Sequence, residues 1–264
     1  MESFLLAMKL PKSETEDLRQ ALRLVVSGIR VGALLPRFDA HAHLPALAAP
    51  TPCILATVQG STFLLHRGLL GDKVCAFQSA LADGGVAAAA ALAAACGSAR
   101  AVAPFPVSIA LAECTPRALE DGAELRPWLQ RHTVLLSQLL QPPSGGSPFW
   151  RHAASGSAHG AAVMEAEGVA AAGVCPVALA GLLLDYPIVY TLSGSTENCL
   201  GGLDLELWRG GQHVSFSLPV AAACARAREA VALWRELLAE RCARAGTPPL
   251  AVSWELVNKP QLAV

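Results

Sequence analysis

The chain has 264 residues, a net charge of −1 and a pI of about 6.6, so nothing electrostatic calls for nucleic acid or an anionic membrane surface as a partner. That length is enough for a substantial buried core in one large domain or two small ones. The 53% hydrophobic content overstates the drive to fold, because aromatics are only 5% and alanine buries little surface.

In chain order, Ser13-Glu-Thr-Glu16 reads as a capping box ahead of a helix carrying Leu18, Leu22, Val25 and Ile29 on one face. A proline-spotted loop follows from Pro36 to Pro52. Cys53–Val58 and Thr62–Leu65 are expected to be two short strands around Gln59-Gly60-Ser61. Asp72 is placed to cap a helix bearing Val74, Phe77 and Leu81, and the alanine run Val86–Cys96 suits another, ended by Gly97. Val107–Leu111 is a candidate strand. Pro127 fits the first turn of a helix whose broad apolar face holds Trp128, Leu129, His132, Leu135, Leu136 and Leu139.

The Pro/Gly/Ser composition from 142 to 158 predicts a flexible loop inside a single domain spanning 1–264. Residues 159–184 read as a helix interrupted near Gly173–Pro176, and Tyr186–Leu192 as an apolar strand covered on both faces. Leu203–Trp208 and His213–Leu218 both alternate apolar and polar residues. A two-residue turn at Gly210-Gly211 would set Leu207 against Val214, Leu205 against Phe216 and Leu203 against Leu218. Its polar face would then carry Asp204, Glu206, His213, Ser215 and Ser217, so the hairpin is expected to encode fold rather than chemistry. After Pro219, Cys224, Ala227, Val231, Trp234, Leu238 and Cys242 form one helical stripe, stopped by Gly246. Leu250–Val257 is the last strand. The resulting expectation is an α+β fold: a mixed sheet with a C-terminal antiparallel β-meander packed by helices, with a three-layer α/β arrangement as the alternative.

The eight cysteines stand at 53, 75, 96, 114, 175, 199, 224 and 242, with no two closer than eighteen residues, so no local metal-ligand pair exists. With no evident secretory signal, the default is a reduced intracellular, cytoplasmic protein without disulfides. Gly168–Leu184 is the longest uncharged apolar run, yet it contains Pro176 and is mostly Ala and Gly before Leu179. No membrane span is expected from it.

Phe38-Asp-Ala-His-Ala-His-Leu44 matches the Asp-x-His-x-His-Leu pattern of amidohydrolase-type metal enzymes. There, alternate histidines at a strand end share one face and bind a divalent ion that activates water. Asp39, His41 and His43 are therefore the candidate metal ligands. Against them, Pro36 and Arg37 spoil the preceding strand, and His132, His152, His159 and His213 do not follow strands in a βα repeat. Ser155 and His159 lie in a small-residue loop rather than on a rigid elbow, Cys199 near Glu197 is a lone thiol, and Glu165 and Glu167 do not share a helical face. Walker-A, G-x-G-x-x-G, H-E-x-x-H and G-x-S-x-G patterns are absent. Arginines 226, 228, 235, 241 and 244, interleaved with glutamates, read as a solvated face, and Trp128, Trp234 and Trp254 as core.

Tyr186-Pro-Ile-Val-Tyr190, Glu197-Asn-Cys-Leu200, the Leu203–Trp208 strand and Val214–Pro219 resemble the vertebrate family of unknown function named for chromosome 1 open reading frame 74. The resemblance is strongest from 185 to 219. It implies one intracellular domain, with no catalytic residues to carry over and no place in its pattern for the His41/His43 pair. The sequence thus points first to a non-catalytic intracellular protein acting by protein binding, with no cofactor. The alternative is a divalent-metal hydrolase using the His-x-His site.

Overall fold

The computed structural model describes residues 12–35, 52–82, 105–110, 115–119, 122–140, 151–152, 161–164, 168, 172–193, 202–211 and 213–258. Its first helix, α1 (Lys12–Val26), buries Leu18, Leu22 and Val25, and Ile29 follows them into the core just past the helix end. The helix range begins at Lys12, one residue ahead of the expected cap at Ser13, and Glu16 accepts from Arg19 and Gln20 in the next turn.

Strands β1 (Gly32–Leu35), β2 (Cys53–Val58) and β3 (Ser61–His66) form an antiparallel group with β3 in the middle. Gln59 and Gly60 turn the chain between β2 and β3, both at positive φ (47° and 81°), the backbone twist that a two-residue hairpin turn requires. Helix α2 (Arg67–Ala82) starts at His66, whose Nδ1 accepts the Leu69 N–H at 3.1 Å. Asp72 therefore lies inside the helix rather than at its cap. The next strands are β4 (Phe105–Ala110) and β5 (Thr115–Ala118), which pair antiparallel. Helix α3 (Gly122–Leu140) runs past Pro127, which sits inside it, five residues later than its expected place in the first turn. All six residues of its expected apolar face are buried, His132 included.

Within the stretch expected to be loop, β6 (Arg151–His152) pairs antiparallel with β7 (Ala161–Met164), and β7 in turn pairs parallel with β2. Residues 161–164 are thus strand, not the expected helix. Alanine favours helix locally, but propensity yields to tertiary context, and β2 supplies the hydrogen-bond partners that make this segment a strand. The five-stranded sheet runs β1-β3-β2-β7-β6. Helix α4 (Pro176–Leu183) is eight uncharged residues with Pro176 in its first turn. β8 (Ile188–Ser193) joins β4 in parallel to make a second sheet, β5-β4-β8.

The third sheet holds β9 (Asp204–Gly210), β10 (Val214–Pro219) and β11 (Val252–Asn258) in the order β10-β9-β11, antiparallel throughout. The antiparallel C-terminal sheet is as expected, but its third strand is the last one in the chain. A 3-10 turn (Val220–Ala222) leads from β10 to helix α5 (Ala225–Arg244), which precedes β11. The hairpin register differs by three positions from expectation: Val214 faces Gly210, Phe216 faces Trp208 and Leu218 faces Glu206. Gly211, at φ 63°, sits in the longer loop. An odd slip exchanges faces, so Leu207 leaves Phe216 and joins Ser215 and Ser217.

Packing explains that register. Phe216 stacks parallel to Trp208 and meets Trp234 of α5 edge-on at 5.2 Å. A side chain on Gly210 would meet the Trp234 and Leu238 side chains, so α5 approaches the sheet closest there. Two apolar clusters result. One gathers α2, α3, α4 and the five-stranded sheet; the other lies between α5 and the third sheet. Among the described residues, no helix is long and apolar enough to cross a membrane.

Candidate binding cleft

Where α4 ends and β8 begins, the chain makes its most constrained turn. The Tyr186 N–H returns to the Gly181 carbonyl at 3.0 Å and the Asp185 N–H to Leu182 at 3.2 Å, closing the helix. This geometry puts Asp185 at φ 63°, a position that usually falls to glycine, at a cost of about 1 kcal/mol. What holds an aspartate there is charge. Its carboxylate takes Lys73 Nζ of α2 at 2.8 Å and Arg241 Nη1 of α5 at 2.5 Å, with all three side chains buried.

Three cations converge on this turn, since Arg30 is buried beside it. Among the described residues the carboxylate that meets them is Asp185, and backbone carbonyls supply further acceptors. Lys73 also donates to Leu182 O (3.0 Å), Arg30 to Leu184 O (3.2 Å) and His213 O (2.7 Å), and Arg241 to Ile29 O (3.2 Å). Two of those carbonyls belong to the C-terminal end of α4, where the helix dipole is negative. Burial works against the Asp185 carboxylate, but the Lys73 and Arg241 charges outweigh it and hold its pKa down at about 2. Burial lowers the pKa of Lys73 and of Arg30. The cluster ties α2, α4, α5 and the turn after α1 together. It is sealed from solvent, which makes it a structural joint rather than a reaction centre.

Immediately beyond Asp185 the chain opens onto a cleft of about 630 Å³, within the range of ligand-sized sites. Its walls are the turn between β2 and β3, one side of α4, the first half of β8, and the face of the β9–β10 hairpin carrying Leu207, Ser215 and Ser217. Gly181 lets α4 lie against β8: a side chain there would come within 2.9 Å of Val189. The two tyrosines of the whole sequence, Tyr186 and Tyr190, both line this cleft. The Tyr190 hydroxyl donates to Ser217 O at 2.7 Å and lies 2.8 Å from Ser217 Oγ. Burial raises the pKa of the Tyr186 phenol, partly offset by the Arg30 guanidinium beside it.

The lining is otherwise apolar, with Gln59, Ser61 and Ser215 as further polar groups. Among the described residues it contains no carboxylate, imidazole, thiol, amine or guanidinium. Such a surface can exclude water and orient an uncharged guest by a few hydrogen bonds.

No family model, curated protein or solved structure matches the chain.

Asp39, His41 and His43 lie outside the described residues, as do Ser155, His159, Glu165, Glu167, Glu197, Cys199 and the Val86–Cys96 run. Among the described residues no group of three or more metal-ligating side chains converges. His132 is buried on α3, donating Nδ1–H to Trp128 O at 2.8 Å, and His213 Nε2 meets Gln20 at 2.8 Å. Burial pushes the Cys53 thiol up to about 11, far from nucleophilic.

The reading of the last helix's arginines needs correction. Arg241 is not on a solvated face but buried against Asp185, and Arg228 reaches from that face to cover buried Glu206 at 2.6 Å. Ser215 and Ser217 of the hairpin's polar face lie at the cleft wall. Sequence reasoning missed the Lys73–Asp185–Arg241 joint, since its members are separated by over fifty residues at the least. The one local signal was Arg241 lying between Leu238 and Cys242 on an otherwise apolar helical stripe.

Proposed function

We propose that this is a non-catalytic protein that works by binding a partner protein, taking an uncharged, largely apolar segment of it into the cleft between α4, β8 and the β9–β10 hairpin. The observation that carries this reading is the lining: ligand-sized, apolar, held rigid by the buried joint behind it, and without a charged or nucleophilic side chain among the described residues. Tyr190 and Ser217 offer the hydrogen bonds that would fix the guest's orientation. The resemblance of residues 185–219 to the chromosome 1 open reading frame 74 family fits the same reading, because that stretch supplies Tyr186, Tyr190, Leu207, Ser215 and Ser217 to the cleft.

A photo-cross-linking residue at Ser215, used in cells, tests the proposal. A discrete cross-linked protein should appear and should vanish when Ala180→Trp fills the cleft. No cross-linked protein, or one indifferent to Ala180→Trp, overturns the reading.

The second reading, a divalent-metal hydrolase, rests on the Asp39, His41 and His43 pattern in the sequence. Metal analysis of the purified protein beside a His41→Ala, His43→Ala variant separates the two. Stoichiometric metal that disappears in the variant would favour the hydrolase.

A further inference from the structure

The third sheet ends in an edge that is unusual for its exposed aromatic content. On the face beneath α5, Trp208 and Phe216 are buried, yet Trp254 and Leu256 of β11 are 55% and 64% exposed. They continue the same face, since Trp254 pairs with Trp208 and stacks on it at 5.9 Å, and Leu256 pairs with Glu206. Helix α5 covers β9 and β10, and Val252 and Val257 of β11 are half-buried against the same cluster, but Trp254 and Leu256 are left bare. Within Val252–Asn258 there is no lysine, proline or glycine of the kind that blunts an edge strand against pairing.

From these features we propose that β11 is the two-fold interface of a homodimer, in which it pairs antiparallel with β11 of a second copy to make one six-stranded sheet. The strand's own sequence selects the register. With the axis at Trp254, the exposed face presents Trp254 to its own counterpart and Val252 to Leu256 on both sides of it, an unbroken apolar strip. On the other face Glu255 lies opposite Ser253 of the partner. Arg209, already paired with Glu255 of its own chain at 2.8 Å and directly across from Ser253, then has a second carboxylate beyond that small residue. Moving the axis to Glu255 would set the two glutamates directly against each other, which like charges disfavour. Among the described residues none of β11 lines the cleft, so the dimer stands independently of the proposed function.

Sedimentation equilibrium of the full chain should show a concentration-dependent dimer. Trp254→Lys and Leu256→Lys, both at exposed positions, should each keep the circular dichroism spectrum, and Trp254→Lys should weaken association by about 30-fold or more. Mixing a Ser253→Cys variant with a Glu255→Cys variant should give, on oxidation, a 253–255 linked peptide by mass spectrometry that neither variant gives alone. A chain that stays monomeric, whether bare at β11 or covered by another protein, overturns the inference. So does a dimer that neither lysine substitution weakens, or a cross-link in another register.

Discussion

His132 should make the protein acid-sensitive well above the range where carboxylates titrate. Its imidazole is 1% exposed and packs against Trp128 at a ring separation of 4.2 Å. Nδ1–H is committed to the Trp128 carbonyl, and Nε2 has no hydrogen-bond partner among the described residues. A proton added at Nε2 would therefore be a buried donor carrying charge into an apolar site. Burial is the main cause that lowers the pKa to about 4 from the usual 6.5. The folded protein thus binds fewer protons than the unfolded chain between those values. Stability from this residue is full above pH 6.5 and is lost as pH falls toward 4, by about 3 kcal/mol in all. His132→Leu removes the titration at the cost of about 1 kcal/mol for the lost hydrogen bond. Urea unfolding near neutrality and at about pH 4.5 should show the wild type losing most of that 3 kcal/mol more than the variant. If the two lose stability in parallel, the assignment of acid sensitivity to His132 is refuted. An NMR titration placing the imidazole near 6.5 would refute it equally.

Asp185→Asn should destabilise by about 3–5 kcal/mol in chemical denaturation, because it removes the buried charge that pairs with both Lys73 and Arg241. The same carboxylate adds a second acid limb, with stability present above about pH 4 and falling as pH drops through about 2. Gly32→Ala should destabilise by about 3 kcal/mol or prevent folding, since the added carbon would lie 2.4 Å from Leu183 O and 2.5 Å from Leu65 Cδ2. Expression yield and melting temperature report it. Gln59→Asn should stabilise by about 0.5 kcal/mol, as asparagine tolerates the positive φ better in a turn already followed by glycine. A lower melting temperature would contradict the turn assignment.

By itself the sequence determined those elements whose hydrophobic period is strong and local. The six-residue face of α3, the stripe of α5 and the β2–β3 hairpin were all legible, because each repeats its apolar residues at the spacing its backbone demands. The general α+β character followed from them. Where two local patterns compete, the tertiary structure decided. Leu203–Trp208 ends in adjacent apolar residues, Leu207 and Trp208, so its periodicity allows either face inward. The aromatic contacts of Trp208 with Phe216, and the close approach of α5 at Gly210, chose between them. Trp254 shows the same limit in reverse: its strand reads as apolar, but nothing local reveals that it forms a sheet edge beyond the reach of α5. The candidate site was the least legible part. Lys73, Asp185 and Arg241 meet only when three helices converge, and the cleft walls come from segments as far apart as Leu34 and Ser217. Charges and cavities are properties of what the fold brings together, and no run of neighbouring residues encodes them.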